Sequence, residues 1–159
     1  MIRVQTEDFD VGAELKALAR NGNVGAIVTF TGIVREFSGN HQLSAMTLEH
    51  YPGMTERQLA EIEAEARRRW PLDNSLIIHR HGRLEPGENI VLVITTSSHR
   101  EAAFEAASFL MDWLKTKAPF WKLEDSAKGG GTWVAAKASD DTAADRWAAS
   151  AKPARKVAG

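Results

Sequence analysis

The sequence predicts an α+β fold, with helices packed on a mostly antiparallel sheet. Two observations carry this reading. After a first strand and helix the elements run ββαββαββ, without the strand–helix alternation of a doubly wound sheet. Length is the other: 159 residues make about one domain, and a chain of this size buries roughly 70% of its unfolded surface without disulfide or metal staples.

The elements follow in order. Ile2 and Val4 alternate with polar residues as a short strand. Asp10 is a helix N-cap, and the helix reaches about Arg20, with Leu15, Leu18 and Ala19 on one face and Asn21-Gly22 ending it. Val24 to Val34, rich in Val, Ile, Thr and Phe, reads as a long strand. A turn at Glu36–Asn40 returns the chain as a strand over Leu43–Leu48, so these two are expected to form a hairpin. Pro52-Gly53 breaks the chain, and Thr55 with Gln58 suggests a capping box. The helix that follows carries Leu59, Ile62 and Ala66 on one stripe and ends at Trp70, before Pro71. Strands are expected at Leu76–His81 and Ile90–Thr96 around the turn Glu85-Pro86-Gly87-Glu88. Ser98 with Glu101 suggests a second capping box, opening a helix to about Lys117 that Pro119 stops. Phe120–Glu124 and Trp133–Lys137 read as strands joined by the glycine-rich Ala127–Thr132. One domain is expected over residues 1–147, and the basic tail over 148–159, with almost nothing to bury, is expected to be disordered.

Composition excludes several classes. Apolar residues make up 43% and charged residues 26%, which argues against global disorder. The net charge of −1 disfavours a general nucleic-acid binder. No apolar run approaches the ~18 residues of a membrane span, and MIRVQTEDFD lacks a signal-peptide core. A cytoplasmic protein that binds neither membrane nor nucleic acid is expected. Cysteine is absent, which removes thiolate nucleophiles, disulfides and cysteine-ligated metals.

Four stretches carry candidate chemistry. His79 and His81 share a strand face, as metal ligands would, with Glu49 or His50 as a third; half-exposed strand histidines are common, and no metal site is expected. Gly129-Gly130-Gly131 is no phosphate loop, because Thr132-Trp133-Val134 follows instead of a Lys and a helix; a hairpin connection is expected. Ser98-His99-Arg100 at a helix start suits an anion, and equally suits a capping box with solvated side chains. Lys115, Lys117 and Lys122 flank a helix stop beside Phe120-Trp121. A catalytic lysine pair and a solvated face with an Asp112–Lys115 ion pair are both open at this point.

Read together, AIVTFTGIVR (Ala26–Arg35), TLEHYPGMTE (Thr47–Glu56), HRHG with PGE (His79–Gly82, Pro86–Glu88), SSHREAAFEA (Ser97–Ala106) and MDWLKTKAPFWK (Met111–Lys122) resemble the large, catalytic subunits of molybdopterin synthase. The five blocks stand in that family's order and spacing over about Val24 to Trp147. The resemblance implies an α/β hammerhead-type fold and a homodimer. Each copy would bind a small ubiquitin-like subunit, completing a heterotetramer. That subunit's thiocarboxylated Gly-Gly tail would deliver two sulfurs in succession to cyclic pyranopterin monophosphate, forming the molybdopterin dithiolene. The missing cysteine agrees with sulfur that travels on a partner. By position, Lys115 and Lys122 match the family's active-site lysines. Arg35, His99 and Arg100 match its residues for the pterin and its phosphate, with Ile33, Val34, Leu123 and Glu124 as neighbours. Lys117 stands where the family has a basic residue, and Lys137 where an arginine is expected. Thr132 departs from the charged residue that often precedes the tryptophan. Neither the residues nor the resemblance calls for a metal or a cofactor. Two rivals are a non-catalytic dimeric adaptor for a ubiquitin-like tail, and a nucleotide or RNA-end binder using the same cations.

Overall fold

The computed structural model describes residues 1–20, 22–134 and 138–149. Two sheets organise it. The first has the order β1-β5-β7-β2, from β1 (Ile2–Gln5), β5 (Asn74–Arg80), β7 (Asn89–Ser97) and β2 (Ala26–Ile33). The second runs β3-β4-β8-β9, from β3 (Phe37–Ser38), β4 (His41–His50), β8 (Phe120–Ser126) and β9 (Gly131–Val134), with β6 (Gly82–Leu84) also on β4. β1 pairs β5 in parallel, and the other pairings among the described residues are antiparallel. The α+β, mostly antiparallel expectation is met.

The first sheet is covered on both faces, which explains the unbroken apolar runs of β5 and β7. Ile77, Val91 and Val93 face Leu59, Ile62 and Ala66 of α2 (Met54–Arg69) and Phe109 and Leu110 of α3 (Arg100–Thr116). Leu76, Ile78, Leu92 and Ile94 face Phe9 and Leu18, the latter on α1 (Val11–Leu18). Each fully buried leucine or isoleucine contributes about 1.5–3 kcal/mol. A smaller cluster of Val34, Met46, Leu48 and Leu84 joins the two sheets.

The expected hairpin between 24–34 and 43–48 does not form. β7 is apolar on both faces, and its two edges are taken by β5 and β2, the latter in a register from Ala26–Ser97 to Ile33–Asn89. The chain leaves that sheet at the bulge between Gly32 and Ile33, where the Val34 N–H donates to the Glu88 carbonyl at 2.9 Å. β4 therefore pairs with β8 and carries only the short β3 as its hairpin partner.

Both expected capping boxes also shift. Gly53, at φ +83°, is the N-cap of α2, and its N–H donates to the Glu56 carboxylate at 2.6 Å. Thr55 lies inside the helix, with its hydroxyl turned back to the Tyr51 carbonyl at 3.0 Å. His99, not Ser98, caps α3 without a side-chain bond, and Ser97 Oγ instead accepts the His99 N–H at 3.2 Å. Asp10 caps α1 as expected, accepting the Ala13 N–H at 2.9 Å, but the helix stops at Leu18. The sequence reading missed β6 and α4 (Ala138–Ala149). The tail from residue 150 lies outside the described residues.

Candidate active site

α3 and β8 build a cavity of about 520 Å³ between the sheets. Lys115 sits in the last turn of α3, where a cation suits the helix dipole. The helix closes there: the Thr116 hydroxyl donates to the Asp112 carbonyl at 2.8 Å and the Lys117 N–H to the Trp113 carbonyl at 2.8 Å. Pro119 prevents another turn, and β8 begins one residue later. Along β8 the side chains of Phe120, Lys122 and Glu124 alternate onto the cavity face. Lys122 Nζ lies 3.9 Å from Glu124 Oε1, a loose pair whose carboxylate is only 12% exposed. Arg35 stands exposed at the rim, directly after buried Val34, and Ile33 closes that side of the wall.

The other expected residues fall elsewhere. Leu123 is on the opposite face of β8, in register with Trp133. Lys117 is the exposed C-cap of α3 and does not line the cavity. Lys137 lies outside the described residues. His99 and Arg100 are exposed at the far end of α3, 17 residues long and so ~25 Å from end to end. One chain therefore brings Arg35, Lys115 and Lys122 together and leaves His99 and Arg100 remote.

The Asp112–Lys115 ion pair does not form, because α4 claims the Asp112 carboxylate. It accepts from Arg146 Nη2 at 2.8 Å and Trp147 Nε1 at 2.7 Å. This clasp folds α4 back so that Asp140 also lines the cavity, a residue with no signal in the sequence. Among the described residues the lining then carries three cations (Arg35, Lys115, Lys122) and two carboxylates (Glu124, Asp140).

His79, read from the sequence as an ordinary half-exposed strand histidine in preference to a metal ligand, is a buried wall residue of the cavity. It is 7% exposed, and its ring stacks on Phe120 at 3.6 Å between centroids and 13° between planes. Nδ1 lies 2.8 Å from the Arg80 carbonyl, which only accepts, so Nδ1 carries the proton. Burial, with Lys115's charge adding to it, pushes the imidazole pKa down to about 4, so the ring is neutral near pH 7. His81 instead pairs with His50 at 4.3 Å. Among the described residues no three His, Cys, Asp or Glu are grouped to hold a metal ion.

Gly129 and Gly130, at φ +98° and +88°, turn the β8–β9 hairpin, a conformation that L side chains resist. The hairpin borders a second cavity of about 670 Å³ that shares Leu43, Glu124 and Val134 with the first.

Fold and cleft together define a small α+β protein whose cleft between two sheets gathers Arg35, Lys115 and Lys122. The family model described as MoaE protein matches residues 4–117, stopping short of Lys122. The chain is 54% identical over 153 residues to a molybdopterin synthase catalytic subunit from Mesorhizobium japonicum, covering 95% of each chain. The chain belongs to the MoaE family. It superposes with TM-score 0.79 on a molybdopterin biosynthesis MoaE protein from Burkholderia ambifaria, at 52% identity over 93% of this chain and 97% of that one. A Helicobacter pylori complex of subunits 1 and 2 of molybdopterin-converting factor shares the fold at TM-score 0.67 and 21% identity, covering 86% and 90%.

Proposed function

We propose that this chain is a sulfurtransferase, the catalytic subunit of a molybdopterin synthase. It moves two sulfurs from the thiocarboxylated C-terminus of a small ubiquitin-like subunit to cyclic pyranopterin monophosphate, forming the dithiolene. The convergence of Lys115, Lys122 and Arg35 on one cavity, in a chain without cysteine, carries this reading. Arg35 offers a fork for phosphate or pterin oxygens. Lys115 is the principal catalytic group: its ammonium stabilises negative charge that develops at the thiocarboxylate and exchanges protons with the reacting atoms. Lys122, loosely paired with Glu124, orients substrate beside it.

The remote position of His99 and Arg100 supports a homodimer in which the second copy supplies them. β2 is the outer strand of its sheet and exposes Ile27, Phe30 and Ile33, of which Phe30 and Ile33 also line the cavity. An unpaired edge with apolar side chains favours covering by another chain. Two such copies, each with one small subunit, make the heterotetramer. Light scattering on the free chain should give twice the monomer mass, and Ile27→Lys should halve it.

The decisive assay mixes the protein with thiocarboxylated small subunit and cyclic pyranopterin monophosphate and quantifies molybdopterin. Wild type should form product, and Lys115→Ala should lose at least ~100-fold in rate, the loss of an acid–base and charge-stabilising group. Partner binding with no product from either protein would instead leave an adaptor.

A further inference from the structure

We propose that His79 is a positioning residue for the lysine pair: its ring, stacked on Phe120, fixes the Thr116–Phe120 link and so sets Lys115 against Lys122. This inference rests on the sulfurtransferase reading above.

Lys115 and Lys122 stand on different elements, the last turn of α3 and the third residue of β8. Their relative placement is decided by the link between them. Hydrogen bonds tie the first part of that link to α3, from the Thr116 hydroxyl to the Asp112 carbonyl and from the Lys117 and Ala118 N–H groups to the Trp113 carbonyl. The Phe120 N–H, by contrast, donates only within the link, to the Ala118 carbonyl at 2.8 Å. On the strand side Phe120 pairs with His50, in the second sheet. Its ring crosses to the first sheet, onto His79 of β5, and this contact ties the lysine-bearing link to the most buried strands of the molecule.

His79 is itself held in place. Its Nδ1–H donates to the Arg80 carbonyl, and the Arg80 guanidinium donates to the carbonyls of Thr6 and Asn89, each at 3.0 Å. The stacked ring thus stands on a fixed base. An uncharged imidazole also suits the place, since a further cation beside Lys115 would repel it. Packing alone would be served by any apolar side chain; a ring parallel to Phe120 and lining the cavity fixes a direction as well as a volume.

The test measures molybdopterin formation by the full complex with His79→Ala, His79→Phe and Phe120→Leu, resolving kcat from KM for cyclic pyranopterin monophosphate. A lysine displaced by about 1 Å costs up to ~100-fold in rate. His79→Ala and Phe120→Leu should therefore lose about tenfold or more in kcat with KM within about twofold, while His79→Phe, which keeps the stack, recovers most of the loss. Phe120→Leu leaves His79 in place and serves if His79→Ala fails to fold. Unchanged kcat in folded Phe120→Leu, or equal losses in His79→Phe and His79→Ala, overturns the proposal. A wild-type complex that makes no molybdopterin overturns the sulfurtransferase reading first, and this proposal with it.

Discussion

Gly25 shows how a single hydrogen-sized side chain sets a close backbone approach. A Cβ at this position would lie 2.5 Å from the Ser98 carbonyl oxygen, which is backbone and cannot rotate away. The approach is close because the Gly25 N–H donates to the Ser97 carbonyl at 3.0 Å, pinning the entry to β2 against the start of α3. Gly25→Ala should cost about 1–3 kcal/mol, as forced overpacking does, read as a lower unfolding midpoint. Under the proposed function, in which His99 and Arg100 of a second copy hold the phosphorylated pterin, the same variant should raise KM for it more than it lowers kcat, because Ser98 precedes them. Lys122 and Glu124 give a contrasting case: at 3.9 Å their attraction is loose, and Glu124→Gln should change stability by well under about 1 kcal/mol.

Among the elements, α4 depends most on tertiary contacts. It is short and not strongly amphipathic in sequence, and it is held by Arg146 and Trp147 on Asp112 of α3 and by Trp147 packed edge-on against Trp70 and Phe109. Arg69 adds a hydrogen bond to the Trp147 carbonyl at 3.0 Å. Asp112→Ala removes the shared acceptor and should cost about 1–3 kcal/mol, the range for a charged hydrogen-bond partner lost. Hydrogen exchange should then quicken in α4 while β5 and β7 stay protected. By contrast α2 is fixed by its apolar stripe. Leu59 is fully buried, and Leu59→Ala should cost about 2–5 kcal/mol in a urea titration.

Across the whole molecule, pH acts on stability through His79, His81 and carboxylates held below their usual range, Glu63 among them. His79 binds a proton below pH 6.5 when unfolded but only below about pH 4 when folded, because it is buried and faces Lys115. Its contribution to stability is therefore complete above pH 6.5 and falls by about 3 kcal/mol as pH drops toward 4. His81 is shifted the same way by burial and by His50, and adds loss of the same sign. Burial raises the Glu63 pKa, but the Ser75 hydroxyl, the Met1 ammonium and Arg67 outweigh it and hold the carboxyl below its usual value of 4.5. Its stabilising share is present above pH 4.5 and is lost as pH falls further. Urea unfolding between pH 7 and 4 should show this decline, and His79→Phe should flatten the part between 6.5 and 4.

Local pattern determined most of the elements by itself: the stripe of α2, the stop of α3 at Pro119, the apolar runs of β5 and β7, and the cap at Asp10. These are read correctly because each is fixed by neighbours a few residues away. The motif resemblance picked out Lys115, Lys122 and Arg35, which do meet at one cavity. Only tertiary structure decided the strand pairing, since periodicity gives a strand its faces and not its neighbours; β2 went to β7 because β7 is buried and has two edges to fill. It also decided that α4 folds back on Asp112 and that His79 lies under Phe120. Both contacts join residues dozens of positions apart, and burial in three dimensions, not spacing along the chain, brings them together.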